Sequence, residues 1–137
     1  MLHLVALINT DNKTYMQKRT KRELGKFGEY LAADRLTKNN YQILARNFHS
    51  RYGEIDIVAL KNGILFFFEV KTRTCDSINA PEESITYQKR QKLIRTAMTF
   101  LENKSSDLPI IKSWRIAFFG ILLRGGKVIK TETFIID

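Results

Sequence analysis

The Asn62-Gly63 pair, set between two apolar runs, constrains this chain more than any other feature of its sequence. Ile57 to Leu60 and Lys61 precede it, and Ile64 to Phe68 follow it. Asn-Gly between hydrophobic runs signals a β-hairpin with a two-residue turn, because both turn positions need positive φ. That turn sets Lys61 opposite Ile64, Leu60 opposite Leu65 and Val58 opposite Phe67. Carried outwards, the same register sets Asp56 against Glu69 and Glu54 against Lys71. Side chains alternate along a strand, so all four charged groups point to one side of the sheet. The other side is wholly apolar, with Ile55, Ile57 and Ala59 against Phe66, Phe68 and Val70.

Facing carboxylates are costly. Opposed residues in an antiparallel pair have Cβ atoms about 5 Å apart, and like charges there are destabilising. Such a pair needs a shared proton, a basic neighbour or a cation. Two carboxylates with a lysine two residues beyond one of them suit a hard divalent cation beside a phosphate. Mg²⁺ takes oxygen ligands and keeps several waters, so Asp56, Glu69 and a substrate phosphate suffice. Lys71 on the same face would position or deprotonate a water, or balance charge in a phosphorane-like transition state. The plainer reading is a solvent-facing strand end with a Lys–Glu pair. The apolar remainder of the hairpin argues against it, since a solvated face scatters its charges.

Asp56, a twelve-residue gap and then Glu69-Val70-Lys71 resemble the D…(D/E)-x-K core of the restriction-endonuclease-like, or PD-(D/E)XK, nuclease superfamily. Ile55 stands where the eponymous proline would be. Further residues narrow the resemblance to the YraN-like family of bacterial proteins. They are Gly25-Lys26-Phe27-Gly28-Glu29, Leu31-Ala32-Ala33, Asn47-Phe48, Arg51-Tyr52-Gly53-Glu54-Ile55-Asp56, Phe68 to Arg73, and a helix carrying Lys89-Arg90. The resemblance spans about residues 18–136. It implies an α/β fold with an αβββαβ core, a mixed central sheet flanked by helices. It also implies a Mg²⁺- or Mn²⁺-dependent endonuclease that hydrolyses phosphodiester bonds in DNA, structured or branched forms included. Asp56 and Glu69 would hold the metal, Glu29 of the first helix would add a third carboxylate, Glu54 would support them, and Lys71 would be the catalytic cation. One departure is Arg115-Ile116-Ala117, where relatives often carry Arg-Phe-Asp.

Charge points the same way. Lys+Arg 23 against Asp+Glu 14 leaves +9, an excess that favours a polyanionic partner, with DNA ahead of RNA. Lys18, Arg19, Lys21, Arg22 and Lys26 precede or open the first helix, and Lys89, Arg90, Lys92 and Arg95 lie on the second. With Arg73 they form two clusters suited to a phosphate backbone, giving salt-dependent affinity without reading sequence. Tyr52 and Tyr87 are placed either to stack on unpaired bases or to pack in the core.

At 137 residues, 44% of them hydrophobic, the chain is one domain with a real core. The domain is read as 18–137, and residues 1–17 as an extension, disordered, strand-like or begun at an upstream start. Leu2 to Ile8 is too short to span a membrane and lacks the marks of a signal peptide. Its single cysteine, Cys75, allows no internal disulfide and fits a reducing cytoplasm. Histidines His3 and His49 are isolated, and no Cys/His cluster suits zinc.

Periodicity predicts a helix over 23–39, with Leu24, Phe27, Leu31 and Leu36 inward and Gly25 and Gly28 marking close approach. A strand over 41–48, a polar link over 49–52 and the hairpin follow. A polar loop over 72–80 leads to Pro81 and a second helix from Glu82 or Thr86 to Asn103. That helix turns Tyr87, Leu93 or Ile94, Ala97, and Phe100 or Leu101 inward. Ser113 to Leu123 and Lys127 to Ile136 form a second hairpin about Arg124-Gly125-Gly126. Its exposed edge would allow a homodimer or a protein partner. Two other functions fit the residues: a nucleic-acid-binding module that keeps the fold without catalysis, and an adaptor.

Overall fold

Asn62 (φ 52°) and Gly63 (φ 78°) close the hairpin with the two positive φ values that a type I′ turn demands. The computed structural model describes residues 20–74, 85–104, 106 and 108–136. The N-terminal extension with Lys18 and Arg19, Cys75 and Pro81 lie outside the described residues.

The elements run α1 (Lys21–Lys38), β1 (Gln42–Ser50), β2 (Gly53–Lys61), β3 (Ile64–Thr74), α2 (Tyr87–Asn103), β4 (Ser113–Arg124) and β5 (Lys127–Ile135). The five strands form one sheet in sequence order, β1-β2-β3-β4-β5. Neighbours are antiparallel except β3 and β4, which are parallel and joined by the crossover through α2. This is a mixed sheet between two helices, the restriction-endonuclease-like arrangement expected from the sequence, with β5 added at one edge.

Both helices begin where a threonine can cap them. Thr20 accepts from Glu23 N at 3.2 Å, so α1 starts at Lys21, two residues before the expected Glu23. Thr86 accepts from Lys89 N at 3.1 Å and fixes the start of α2 at Tyr87 rather than Glu82. Asn40 (φ 69°) ends the α1 region in the left-handed conformation, and Tyr41 N closes back on Leu36 O at 3.0 Å.

Apolar residues sort to two faces. Phe27, Leu31, Ala32 and Leu36 of α1 pack on Ile57, Ala59, Phe68, Ala117 and Ile121. On the opposite face Leu93 and Ala97 of α2 cover Val58, Leu65, Phe67 and Ile116. Phe67 is fully buried, edge-on to Phe100 and Trp114, and such a ring is worth about 3–5 kcal/mol against alanine. Gly28 is buried against β3, where a Cβ would overlap Thr72 Oγ1, so the missing side chain lets α1 lie close on the sheet. Gly25 has open space around its missing Cβ, so the expected close approach belongs to Gly28 alone.

Four further expectations change. Tyr87 is 72% exposed rather than inward, because it occupies the first helical position, beyond the end of the apolar stripe. The polar link of 49–52 shortens to Arg51-Tyr52, and β3 runs on to Thr74. Ile55 packs with Val58 and Phe67 under α2, on the face opposite Ile57 and Ala59.

Candidate functional site

The change of face at Ile55 has a local cause. Pairing of β1 with β2 is in register on both sides of Asp56, with Arg46↔Ile57 and Phe48↔Ile55. Between the two β1 partners stands Asn47, in the left-handed conformation at φ 53°. Asparagine enters that region more readily than most residues. One such residue resets the alternation, so Phe48 and Ile55 both turn toward α2. Pairing of β2 with β3 holds the expected register from Lys61↔Ile64 to Ile57↔Phe68 and then stops. The facing pairs Asp56–Glu69 and Glu54–Lys71 therefore do not form as ladder partners. Hydrogen-bonded pairs alternate along an antiparallel ladder, so Val70 N would next have sought Ile55. Val70 N donates instead to Asp56 Oδ2 at 2.7 Å. The carboxylate thus occupies the opening between the strands.

Charge gathers at this opening. Asp56 has its pKa raised from 3.8 to about 7, by burial first and then by Glu69; the Val70 hydrogen bond opposes the shift, while Glu29 and Glu54 add to it. Glu29 of α1 is also raised, by burial first, with Arg46 and Lys26 pulling against Glu54 and Glu69. Glu29 Oε1 is buried and accepts no hydrogen bond from the described residues. Glu69 has a different remedy: Lys89 Nζ of α2 lies 3.2 Å from its Oε1, the carboxylate being only 18% exposed. Of the three ways to tolerate paired carboxylates, the chain uses two, a favoured proton on Asp56 and a basic neighbour for Glu69.

The donor set fits a hard divalent cation in kind. It is all oxygen, with an orphaned buried acceptor on Glu29 and a carboxyl that resists carrying its charge alone. Among the described residues, however, no three acidic, histidine or cysteine side chains converge as a finished ligand cluster. Glu69 is the reason in part, being turned to Lys89.

The remaining expected residues divide. Lys71 is exposed on β3, two residues beyond Glu69, and Arg73 follows it half-buried. Glu54 is exposed and its Oε2 lies 3.2 Å from His49 Nδ1, so it reaches the site through charge alone. Lys21, Arg22 and Lys26 are exposed on the first turns of α1, and Arg90 and Lys92 lie on α2. Lys89, expected to hold phosphate, is engaged by Glu69. Ala117, the position of the Arg-Phe-Asp departure expected from the resemblance, is fully buried among the residues packed against α1. Arg46 was not among the expected residues. Its only sequence signal is its place on a strand beside Asn47.

On the α2 side a cavity of about 450 Å³ opens beside the β1–β2 turn. Tyr52 and Tyr87 line it with basic and amide side chains. No helix among the described residues is long and apolar enough to cross a membrane.

Known proteins resemble the chain over this whole region. The model of the Uncharacterised protein family UPF0102 matches residues 28–121, which include Glu29, Asp56, Glu69 and Lys71. A UPF0102 protein of Syntrophomonas wolfei is 42% identical over 106 residues, covering 77% of this chain and 90% of that protein. One from Caldanaerobacter subterraneus is 38% identical over 90 residues, covering 66% and 74%. One from Chloroflexus aurantiacus is 39% identical over 109 residues, covering 80% and 87%. With a model match across most of its length and relatives of this identity, the chain belongs to family UPF0102, the YraN-like proteins.

Proposed function

We propose that this protein is a divalent-metal-dependent endonuclease acting on DNA, with Asp56, Glu69 and Glu29 as its metal-holding carboxylates. One observation carries the reading. Asp56 sits where β2 and β3 part, fixed by Val70 N at 2.7 Å, with its pKa raised to about 7 by burial and by Glu69. A structural carboxylate at a strand end has no need of such surroundings, and strongly perturbed groups gather at functional sites. The D…E-x-K spacing and the +9 charge support the same assignment.

Bound Mg²⁺ or Mn²⁺ would supply a Lewis acid for the phosphoryl oxygens and lower the pKa of a water. The chain's own groups do the rest. Val70 N–H fixes the orientation of Asp56, so the carboxylate need not be ordered when substrate arrives. Lys71 Nζ, two residues beyond Glu69, offers positive charge to the phosphorane-like transition state. Lys21, Arg22 and Lys26 on one side and Arg90 and Lys92 on the other hold phosphates by charge.

The test is hydrolysis of end-labelled duplex, single-stranded, flap and four-way-junction DNA in Mg²⁺ or Mn²⁺. Cutting of at least one substrate, lost in Asp56→Ala and Lys71→Ala, supports the assignment; full activity in either variant removes it.

A second reading is a nucleic-acid-binding module without catalysis. The Lys89–Glu69 contact at 3.2 Å favours it, since an ammonium occupies the flank of a needed ligand. Binding without cleavage of any substrate is its signature.

A further inference from the structure

We propose that the cavity between α2 and the β1–β2 turn is a subsite for an unpaired base of a DNA strand, placed beside the carboxylates. The inference rests on the nucleic-acid reading above and specifies its substrate: DNA that contains an unpaired nucleotide near the cleavage point.

Aromatic surface comes first. Tyr87 is 72% exposed on the opening turn of α2 and lines the cavity, so its ring is accessible to whatever enters. Tyr52, half-buried, lines the same cavity from the β1–β2 turn and is held in place. Arg51 donates to its hydroxyl at 2.6 Å and lies 4.8 Å from the ring centroid, and the Arg95 guanidinium is 5.6 Å from the same centroid. Core packing, the other expectation for these tyrosines, explains neither position. Bases stack on aromatic rings and on guanidinium planes, and only an unpaired base frees its faces for such contact.

The wall is also built rather than incidental. Tyr52 N donates to Ser50 Oγ at 3.1 Å, and Ser50 Oγ donates to Thr96 Oγ1 of α2 at 3.2 Å. Thr96 is fully buried and donates in turn to Lys92 O at 2.8 Å. The turn that carries Arg51 and Tyr52 is thereby tied to the helix that carries Tyr87, which keeps the platforms at a fixed separation.

Polar chemistry selects the ligand class. Every charged residue that lines the cavity, among the described residues, is basic, which disfavours a cationic guest and suits phosphate. Gln88 and Gln91 bring amides that can both donate to and accept from a base edge. A volume of about 450 Å³ accommodates a nucleotide.

Position argues for a strand rather than a free nucleotide. Lys92 lines the cavity, and its Cβ lies 3.9 Å from where a Gly53 Cβ would stand, one residue from Glu54. Lys89, one helical turn earlier, touches Glu69. A backbone leading from the cavity along α2 reaches the carboxylates without leaving basic surface.

The test uses the full chain and two DNA duplexes of one sequence, one fully paired and one with 2-aminopurine in a single-nucleotide gap. Affinity is read by anisotropy and stacking by 2-aminopurine quenching, in EDTA. Tyr87→Ala should weaken binding of the gapped DNA about 5- to 150-fold, abolish quenching, and change the paired duplex less than about 2-fold. Tyr87→Phe, which keeps the ring, should behave as wild type. Equal loss on both DNAs, or none on either, overturns the subsite. Competition by millimolar dAMP as effective as by the gapped DNA overturns the strand assignment in favour of a nucleotide pocket. Asp56→Ala should retain the full Tyr87-dependent preference, so failure of the carboxylate reading and failure of this one are seen separately.

Discussion

Lys89 Nζ of α2 lies 3.2 Å from Glu69 Oε1 of β3, an ion pair whose carboxylate is mostly buried. The lysine partly offsets the Glu69 charge, and that carboxylate still raises the pKa of Asp56. The lysine also competes with any cation that Glu69 would hold.

Replacing that lysine should therefore move two properties in opposite directions. Lys89→Gln is expected to tighten Mn²⁺ binding several-fold, since Glu69 no longer has a resident ammonium. The same variant should bind DNA more weakly, because the Glu69 charge is then left unbalanced near the phosphates. Isothermal titration with Mn²⁺ and a salt series with duplex DNA measure the two effects. Unchanged Mn²⁺ affinity would mean that Glu69 is no ligand.

Asp56 gives the metal-free protein a pH dependence of definite sign. Its folded pKa of about 7 lies above the ordinary 3.8, so between those values the folded state holds a proton that the unfolded state has released. Stability then falls as pH rises through that window. A tenfold difference in proton affinity between the two states is worth about 1.4 kcal/mol, so the loss is on the order of a few kcal/mol. Asp56→Asn still accepts from Val70 N and carries no charge. It should melt several degrees higher than wild type at pH 8 in EDTA and much like it at pH 4. Thermal melts at the two pH values decide this, and equal differences at both would refute it.

The two glycines of α1 should respond oppositely to alanine. Gly28→Ala places a methyl against Thr72 Oγ1 and should cost about 1–3 kcal/mol. Gly25→Ala meets open space and should stabilise by up to about 1 kcal/mol through helix propensity. Thr72→Ala should recover part of the Gly28→Ala loss, because the crowding atom goes with it. Urea unfolding of the single and double variants tests the coupling.

How much the sequence disclosed depended on whether a local rule held throughout its segment. Asn62-Gly63 revealed the hairpin, its turn type and its register as far as Ile57↔Phe68, because nothing in that stretch interrupts strand alternation. Asp56 and Glu69 were recognisable as candidate site residues, yet their direct opposition was not real. Extrapolated alternation fails where Asn47 takes φ 53° and both strands change face. An asparagine amid strand-forming neighbours was the available signal, since the residue is scarce in strands and tolerant of that conformation. The partnership of Lys89 with Glu69 had no local signal, because it joins a helix to a strand across the crossover. The tyrosine cavity was half legible. Stacking was open to Tyr52 and Tyr87, but only tertiary placement brought them to one cavity with Gln88 and Gln91.

The most direct test of the carboxylate assignment is the single-turnover cleavage rate as a function of Mn²⁺ or Mg²⁺ concentration. It should be measured on the most readily cut DNA, for wild type and Asp56→Ala. A saturable metal dependence is expected in wild type, absent in EDTA, with the rate in Asp56→Ala reduced by about 10²-fold or more. Cleavage that persists without metal, or at the wild-type rate in Asp56→Ala, would contradict it.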